Sequence, residues 1–212
     1  MKSIRKIIPV MLIAIFALCM TGCAFLKTET PEAIVRTAKE YGIKEVDSRT
    51  DLVKITSKLN VEGSGYYIAK DNEEATKYYQ SFFNARKNLP NVDVDDFRMI
   101  AVLEKGEVVV HTASVFSAHF LSEDDAKTVY EKYTAGISSS RIKKTIQGEK
   151  KLYSYTLQYY KSAVSTTIIG IYFEDKSVTL IQANYYKDEF NSFADHFCDK
   201  MGYISPMTIV ED

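Results

Sequence analysis

The chain has 212 residues, 46% of them apolar, 12% aromatic and 26% charged, with 27 basic side chains against 28 acidic ones. Nine Gly and four Pro beside that much apolar and aromatic material exclude a low-complexity or disordered chain. A net charge of −1 offers no basic footprint for a nucleic-acid partner.

Lys2, Arg5 and Lys6 open the chain and are followed by an apolar run over 7–18, interrupted only by Pro9. That run is shorter than the roughly 20 residues a helix needs to cross a bilayer core about 30 Å thick. It reads as the core of a signal peptide. Met20, Thr21, Gly22 and Cys23 then place small residues directly before a cysteine. This stretch resembles the lipobox of bacterial lipoproteins, with Met20 where leucine is usual. The resemblance implies cleavage after Gly22, a diacylglyceryl group on the Cys23 thiol, and anchorage in the lipid bilayer on the extracytoplasmic face of the cell membrane. Two acyl chains, at about 0.8 kcal/mol per buried methylene, hold essentially permanently where a single chain does not.

Residues 1–22 are therefore expected to be the signal, 23–30 a lipidated tether, and 31–212 a single α+β domain. Within that domain, 31–62 is read as a helical N-terminal region and 63–212 as a sheet-and-helix core. Three basic residues leave with the signal, so 24 basic side chains face 28 acidic ones in the mature chain. Cys19 leaves too and Cys23 carries lipid, which makes Cys198 the sole remaining thiol and rules out an intramolecular disulfide.

Thr30 is placed as an N-cap with Pro31 at the first helical position, and Ile34, Val35 and Ala38 recur at helical spacing until Gly42. A second short helix is expected from Ser48 or Thr50, carrying Leu52, Val53, Ile55 and Leu59, with Gly63 and Gly65 closing the helical region. Next, Asp71, Glu73, Glu74, Ala75, Tyr79 and Phe82 recur 51 positions later as Ser122, Asp124, Asp125, Ala126, Tyr130 and Tyr133. Each copy begins with a capping residue and has a carboxylate three positions on, the signature of a helix start. Neither acidic run has the ligand spacing and glycine of a calcium loop.

Strands are expected over 66–69, 98–103, 108–120, 152–160, 166–173 and 178–186, with a tight turn at Asp175 and Lys176. The order from 66 to 160 is strand, helix, strand, strand, helix, strand. That pattern predicts a ferredoxin-like βαββαβ unit, a two-layer sandwich with helices on one face of an antiparallel sheet, followed by a C-terminal hairpin and helix. In the last helix Phe190, Phe193, Ala194, Phe197, Cys198 and Met201 form one apolar stripe ended by Gly202. Cys198 within it reads as a small core residue rather than a nucleophile.

The lipobox, the β-α units with acidic helix starts, the Tyr-rich strands and the closing stretch from Lys187-Asp188-Glu189-Phe190 to Met201-Gly202-Tyr203 together resemble a group of uncharacterised surface lipoproteins of Clostridia-type Gram-positive bacteria. The resemblance implies an outer-surface location and no particular chemistry.

His111 and His119 share a face of one strand, but eight residues at about 3.3 Å each separate them by roughly 26 Å, too far for one metal ion. His196 falls off the Phe stripe and is expected to be solvated. The sequence has no Gly-x-Ser-x-Gly elbow, phosphate loop, dinucleotide fingerprint or Cys-x-x-Cys pair, and it calls for no cofactor or metal. Ser138, Ser139 and Ser140 read as a polar loop. Four tyrosine pairs, 66/67, 78/79, 159/160 and 185/186, invite a binding surface, because a strand pair turns one ring to the core and the other outward. The reading that follows is a non-enzymatic module for an unidentified protein, peptide or glycan ligand. The alternatives are an extracytoplasmic hydrolase whose residues meet only in three dimensions, and a structural envelope protein.

Overall fold

The computed structural model describes residues 30–57, 62–83, 89–106, 110–136, 141–162, 166–185 and 192–210. In chain order they form α1 (Thr30–Glu40), α2 (Arg49–Ser57), β1 (Gly63–Ile68), α3 (Asn72–Phe82), β2 (Val94–Lys105) and β3 (Val110–Phe120). Then follow α4 (Glu123–Ala135), β4 (Ile142–Lys150), β5 (Tyr153–Lys161), β6 (Thr166–Glu174), β7 (Ser177–Asn184), α5 (Ser192–Met201) and a 3-10 turn at Pro206–Val210. The strands make one seven-stranded sheet in the order β1-β2-β3-β7-β6-β5-β4, antiparallel at every step.

Helix ends follow the local chemistry that the sequence announces. Asp71 and Ser122 both sit in extended backbone and accept the N–H three residues on, from Glu74 at 2.8 Å and Asp125 at 3.1 Å. Gly42 and Gly202 adopt the left-handed conformation, with φ of +83° and +70°, just past α1 and α5. In each case the next N–H reaches back to the helix: Ile43 to the Ala38 carbonyl at 3.0 Å and Tyr203 to the Cys198 carbonyl at 2.8 Å. Both helices thus end in a Schellman motif, which a Cβ at the glycine would strain. Asp175, at φ +53°, makes the two-residue turn from β6 to β7.

The helices pack on both faces of the sheet rather than on one, so the chain forms three layers where two were expected. One face holds α1, α5 and the 3-10 turn over Tyr66, Ile100, Val115, Ile181 and Tyr172. The other holds α2, α3 and α4 over Tyr67, Met99, Phe97, Phe120 and Ile171. The cause lies in the central strands: β2 is buried without break from Met99 to Leu103, and β7 from Ser177 to Ile181. Strands apolar on both faces need cover on both.

The ferredoxin-like unit is likewise not the arrangement formed. That unit needs parallel strands joined by helical crossovers, whereas β1 and β2 flank α3 and pair directly as antiparallel neighbours, and β3 pairs with β7. A further strand, β4, was not anticipated. Its sequence IKKTIQGEK alternates half-buried and exposed positions, and it lies at the sheet edge, where lysine guards against edge-to-edge pairing. The expected 152–160 strand is β5. Gly148 in β4 faces Tyr155 across the pair, and a Cβ there would lie 2.5 Å from the phenol oxygen. The ring covers the glycine, as aromatic residues do at edges. Gly63 and Gly65 do not close the helical region but lie inside β1, where a Cβ on Gly65 would come within 2.9 Å of Ile55 and Val46. Their bareness lets α2 sit close on the sheet.

Candidate functional site

Helix α1 begins over the β6–β7 turn and runs across the sheet beside β1. At its start Thr30 is buried and donates to Glu174 at 3.4 Å. Arg98 of β2 forks onto Asp96, Nε to Oδ1 at 2.8 Å and Nη2 to Oδ2 at 2.7 Å, and its Nη1 donates to the Pro31 carbonyl. Ile34 and Ala38 point into the core, which leaves Val35 half-buried and Arg36 and Lys39 exposed on the flank toward β1. Between this flank and β1 lies an open groove of about 480 Å³ with Val35 and Ile68 as its apolar lining. Charge rims it. Arg98 stands 3.5 Å from Glu32, Glu40 pairs with Lys200 at 3.1 Å, and Lys39 has no carboxylate in ion-pair reach among the described residues.

A polar cluster closes the other end of α1. The Tyr41 and Ser192 hydroxyls donate to the two oxygens of Glu104, at 2.5 and 2.8 Å, and lie 2.9 Å from each other. Burial, and then the hydrogen bond to the Glu104 carboxylate, push the Tyr41 phenol up to about 12. The Tyr41 ring also meets Phe193 at 5.1 Å and His196 at 4.9 Å. Ser192 gives its proton to a carboxylate, not to an imidazole. The cluster joins three elements, α1, β2 and α5, and locks the far end of the helix that forms one wall of the groove.

His196 is half-buried against Tyr41, not solvated, and its Nε2 is buried without a hydrogen-bond partner. His111 and His119 lie at opposite ends of an unbroken β3, and His119 Nδ1 is 2.9 Å from the Ser177 hydroxyl. Among the described residues no three His, Cys, Asp or Glu side chains converge as a metal site. Cys198 is buried, 3.8 Å from the Tyr172 hydroxyl, and burial raises its thiol. It is a core residue, as its place in the stripe implies.

The two strand pairs whose rings are both described do not divide between core and solvent. Tyr66 and Tyr67 are both buried, one in each core, and Tyr159 and Tyr160 are both half-buried. Helices cover both faces at 66 and 67, so neither of those rings turns to solvent. Carboxylates answer the phenols instead: Glu45 for Tyr66 at 3.2 Å, Glu74 for Tyr67 and Tyr78 at 2.8 and 2.9 Å, and Glu174 for Tyr203 at 3.1 Å. Gly22, Cys23, Leu59, 138–140, Tyr186 and Phe190 lie outside the described residues.

Glu74 illustrates what these contacts do. Desolvation opposes its ionisation, but the Lys70 N–H at 2.8 Å and the two phenols outweigh it and hold the carboxyl below its usual value of 4.5. A carboxyl with a lowered folded-state value adds stability that is present above 4.5 and lost as pH falls through that lower value. The midpoint of thermal unfolding of the full chain should therefore fall below pH 4.5, and Glu74→Gln should start lower at pH 7 and fall less steeply. Parallel acid limbs for the two proteins would show that Glu74 carries none of this dependence.

The sequence reading places Val35 on the apolar side of the first helix and Ile68 in a strand, and gives none of the groove residues a binding role. The legible signal was faint: Val35 stands beside Ile34 outside the strict core stripe, with Arg36 and Lys39 on the same flank. Nothing in the chain around 30–40 tells which strand it crosses.

No protein-family model and no curated protein sequence matches the chain. Among solved structures, the extracellular domain of PknH from Mycobacterium tuberculosis matches 78% of this chain and 92% of its own length, at 8% identity and a TM-score of 0.40. Among the described residues no helix is long and apolar enough to cross a membrane.

Proposed function

We propose that the protein is a lipoprotein, anchored through a diacylglyceryl group on Cys23 to the extracytoplasmic face of the cell membrane, whose folded part holds a partner or ligand in the groove beside α1. The anchor reading rests on the order of basic start, apolar core, small residues and cysteine over 2–23. The groove carries the binding reading: it joins an apolar lining, Val35 and Ile68, to a charged rim, the combination that gives a site both contact area and orientation.

Cys23→Ala should abolish incorporation of labelled fatty acid and leave the signal uncleaved, since the thiol is the acceptor. Fatty acid appearing in this variant at the level of the unaltered protein overturns the anchor. For the groove, a photo-crosslinking residue at Lys39 should capture a cell-surface partner, while the same residue at Lys127, exposed on α4 across the sheet, should not. Equal yields from both positions, or none from either, overturn the groove as the binding face.

A further inference from the structure

Strand β1 is an edge of the sheet, and its outer side is only partly covered. At Tyr66 the chain from Lys44 to Val46 runs parallel to it: the Tyr66 N–H donates to the Lys44 carbonyl at 3.0 Å, and the Val46 N–H to the Tyr66 carbonyl at 2.9 Å. The chain bends at Asp47 and enters α2 on the opposite face of the sheet. Ala69, by contrast, donates inward to the Phe97 carbonyl at 2.9 Å.

Main-chain groups along an antiparallel strand alternate between its two sides. With Tyr66 turned outward and Ala69 inward, both the N–H and the C=O of Ile68 point out of the sheet. No described backbone group meets them. Next outward, the Lys70 N–H is already taken by Glu74. Between Tyr66 and Lys70 the edge thus offers one donor and one acceptor, both at Ile68, where the side chain also lines the groove.

Charge selects among extended segments. Glu40 is matched by Lys200, and Glu32 faces Arg98. Lys39, unmatched among the described residues, stands one turn beyond Val35 with Arg36 on the same flank. We infer that the groove receives an extended acidic peptide segment, which runs antiparallel to β1, bridges to the main chain of Ile68, seats one apolar side chain on Val35 and Ile68, and sets a carboxylate against Lys39. Pairing to a free edge supplies affinity through the main chain, and alternate side chains supply specificity. Residues two apart on such a segment share a face, so an apolar residue over Ile68 places a carboxylate two positions away toward the helix flank. This inference rests on the groove being the binding face.

The test uses the full mature chain in mild detergent and the blocked peptide acetyl-Glu-Glu-Val-Glu-Glu-amide. Calorimetric titration should show binding, with the Ile68 amide among the most shifted resonances. Exchanging the four Glu for Lys, N-methylating the valine, or substituting Lys39→Glu should each weaken binding about ten-fold, the effect of losing one well-made polar contact. Equal affinity for the lysine peptide overturns the charge assignment, and an N-methylated peptide that binds unchanged overturns edge pairing. A chain that dimerises through this edge in sedimentation experiments, with dimerisation abolished by Ile68→Pro, assigns the groove to a second copy and overturns the peptide. Capture from the Lys39 position on cells without peptide binding leaves the groove as the binding face and removes the acidic strand; failure of both removes both.

Discussion

Phe193→Ala should lower the stability of the protein by about 3–5 kcal/mol, the range for deleting a fully buried aromatic side chain. The ring is 0% exposed and packs between Tyr41 at 5.1 Å and Phe197 at 6.0 Å. Removing it empties the core beneath α5 and takes away the surface against which Tyr41 holds the end of α1. A loss of that size is a large share of a typical domain's 5–15 kcal/mol, so the full chain in detergent should unfold at markedly lower denaturant. The same substitution also distinguishes a core helix from one lying on lipid. An interfacial helix needs basic residues beside its apolar face, whereas α5 carries Asp195 and Asp199 with Lys200 alone in its last turn. A variant that unfolds with the unaltered protein yet leaves the membrane more readily would mean that the stripe meets lipid.

Gly170→Val should cost about 3 kcal/mol, at the upper end of what overpacking a core commonly does. The ring of Tyr172 folds back over Gly170, so that a Cβ there would lie 2.7 Å from two ring carbons. The ring has nowhere to go. It is 0% exposed, stacks on Tyr203 at 4.3 Å with planes 5° apart, and donates from its hydroxyl to the Ile204 carbonyl at 2.7 Å. Displacing it breaks the stack and takes the donor from the half-buried Ile204 carbonyl. In a Tyr172→Leu background the added methyl groups meet a smaller side chain, and the penalty should shrink by half or more. Equal penalties in the two backgrounds, measured as a double-mutant cycle, would show that the ring is not what excludes a side chain at 170.

The division of the helices between two faces has no counterpart in the layer arrangement expected from the strand order, and the reason is specific. Met99 to Leu103 reads as a plain apolar run, and a run of that length is equally consistent with a strand buried on one face or on two. Only the positions of its neighbours decide. The same ambiguity hid β4: its alternation is built from two isoleucines among lysine, threonine and glutamine, and its register comes from Tyr155 lying over Gly148, a contact between two strands. The groove is a further case. Val35 and Ile68 are 33 positions apart in sequence, and they line one groove because Ile34 and Ala38 dock α1 on the sheet and Arg98 of β2 holds its first residues.

What the sequence determined by itself lies within a few residues of chain. The caps at Asp71 and Ser122, the glycine stops at 42 and 202, the turn at Asp175 and the buried stripe of α5 all follow from hydrogen bonds and side-chain spacing over three to six positions. Tertiary structure alone decided the order of the strands, the covering of both faces, the inward turn of both rings at 66 and 67, and the groove between α1 and β1. Local signals specify which backbone groups a segment can satisfy on its own. Which apolar face meets which other depends on the summed burial of the whole sheet, a quantity that no window of the sequence contains.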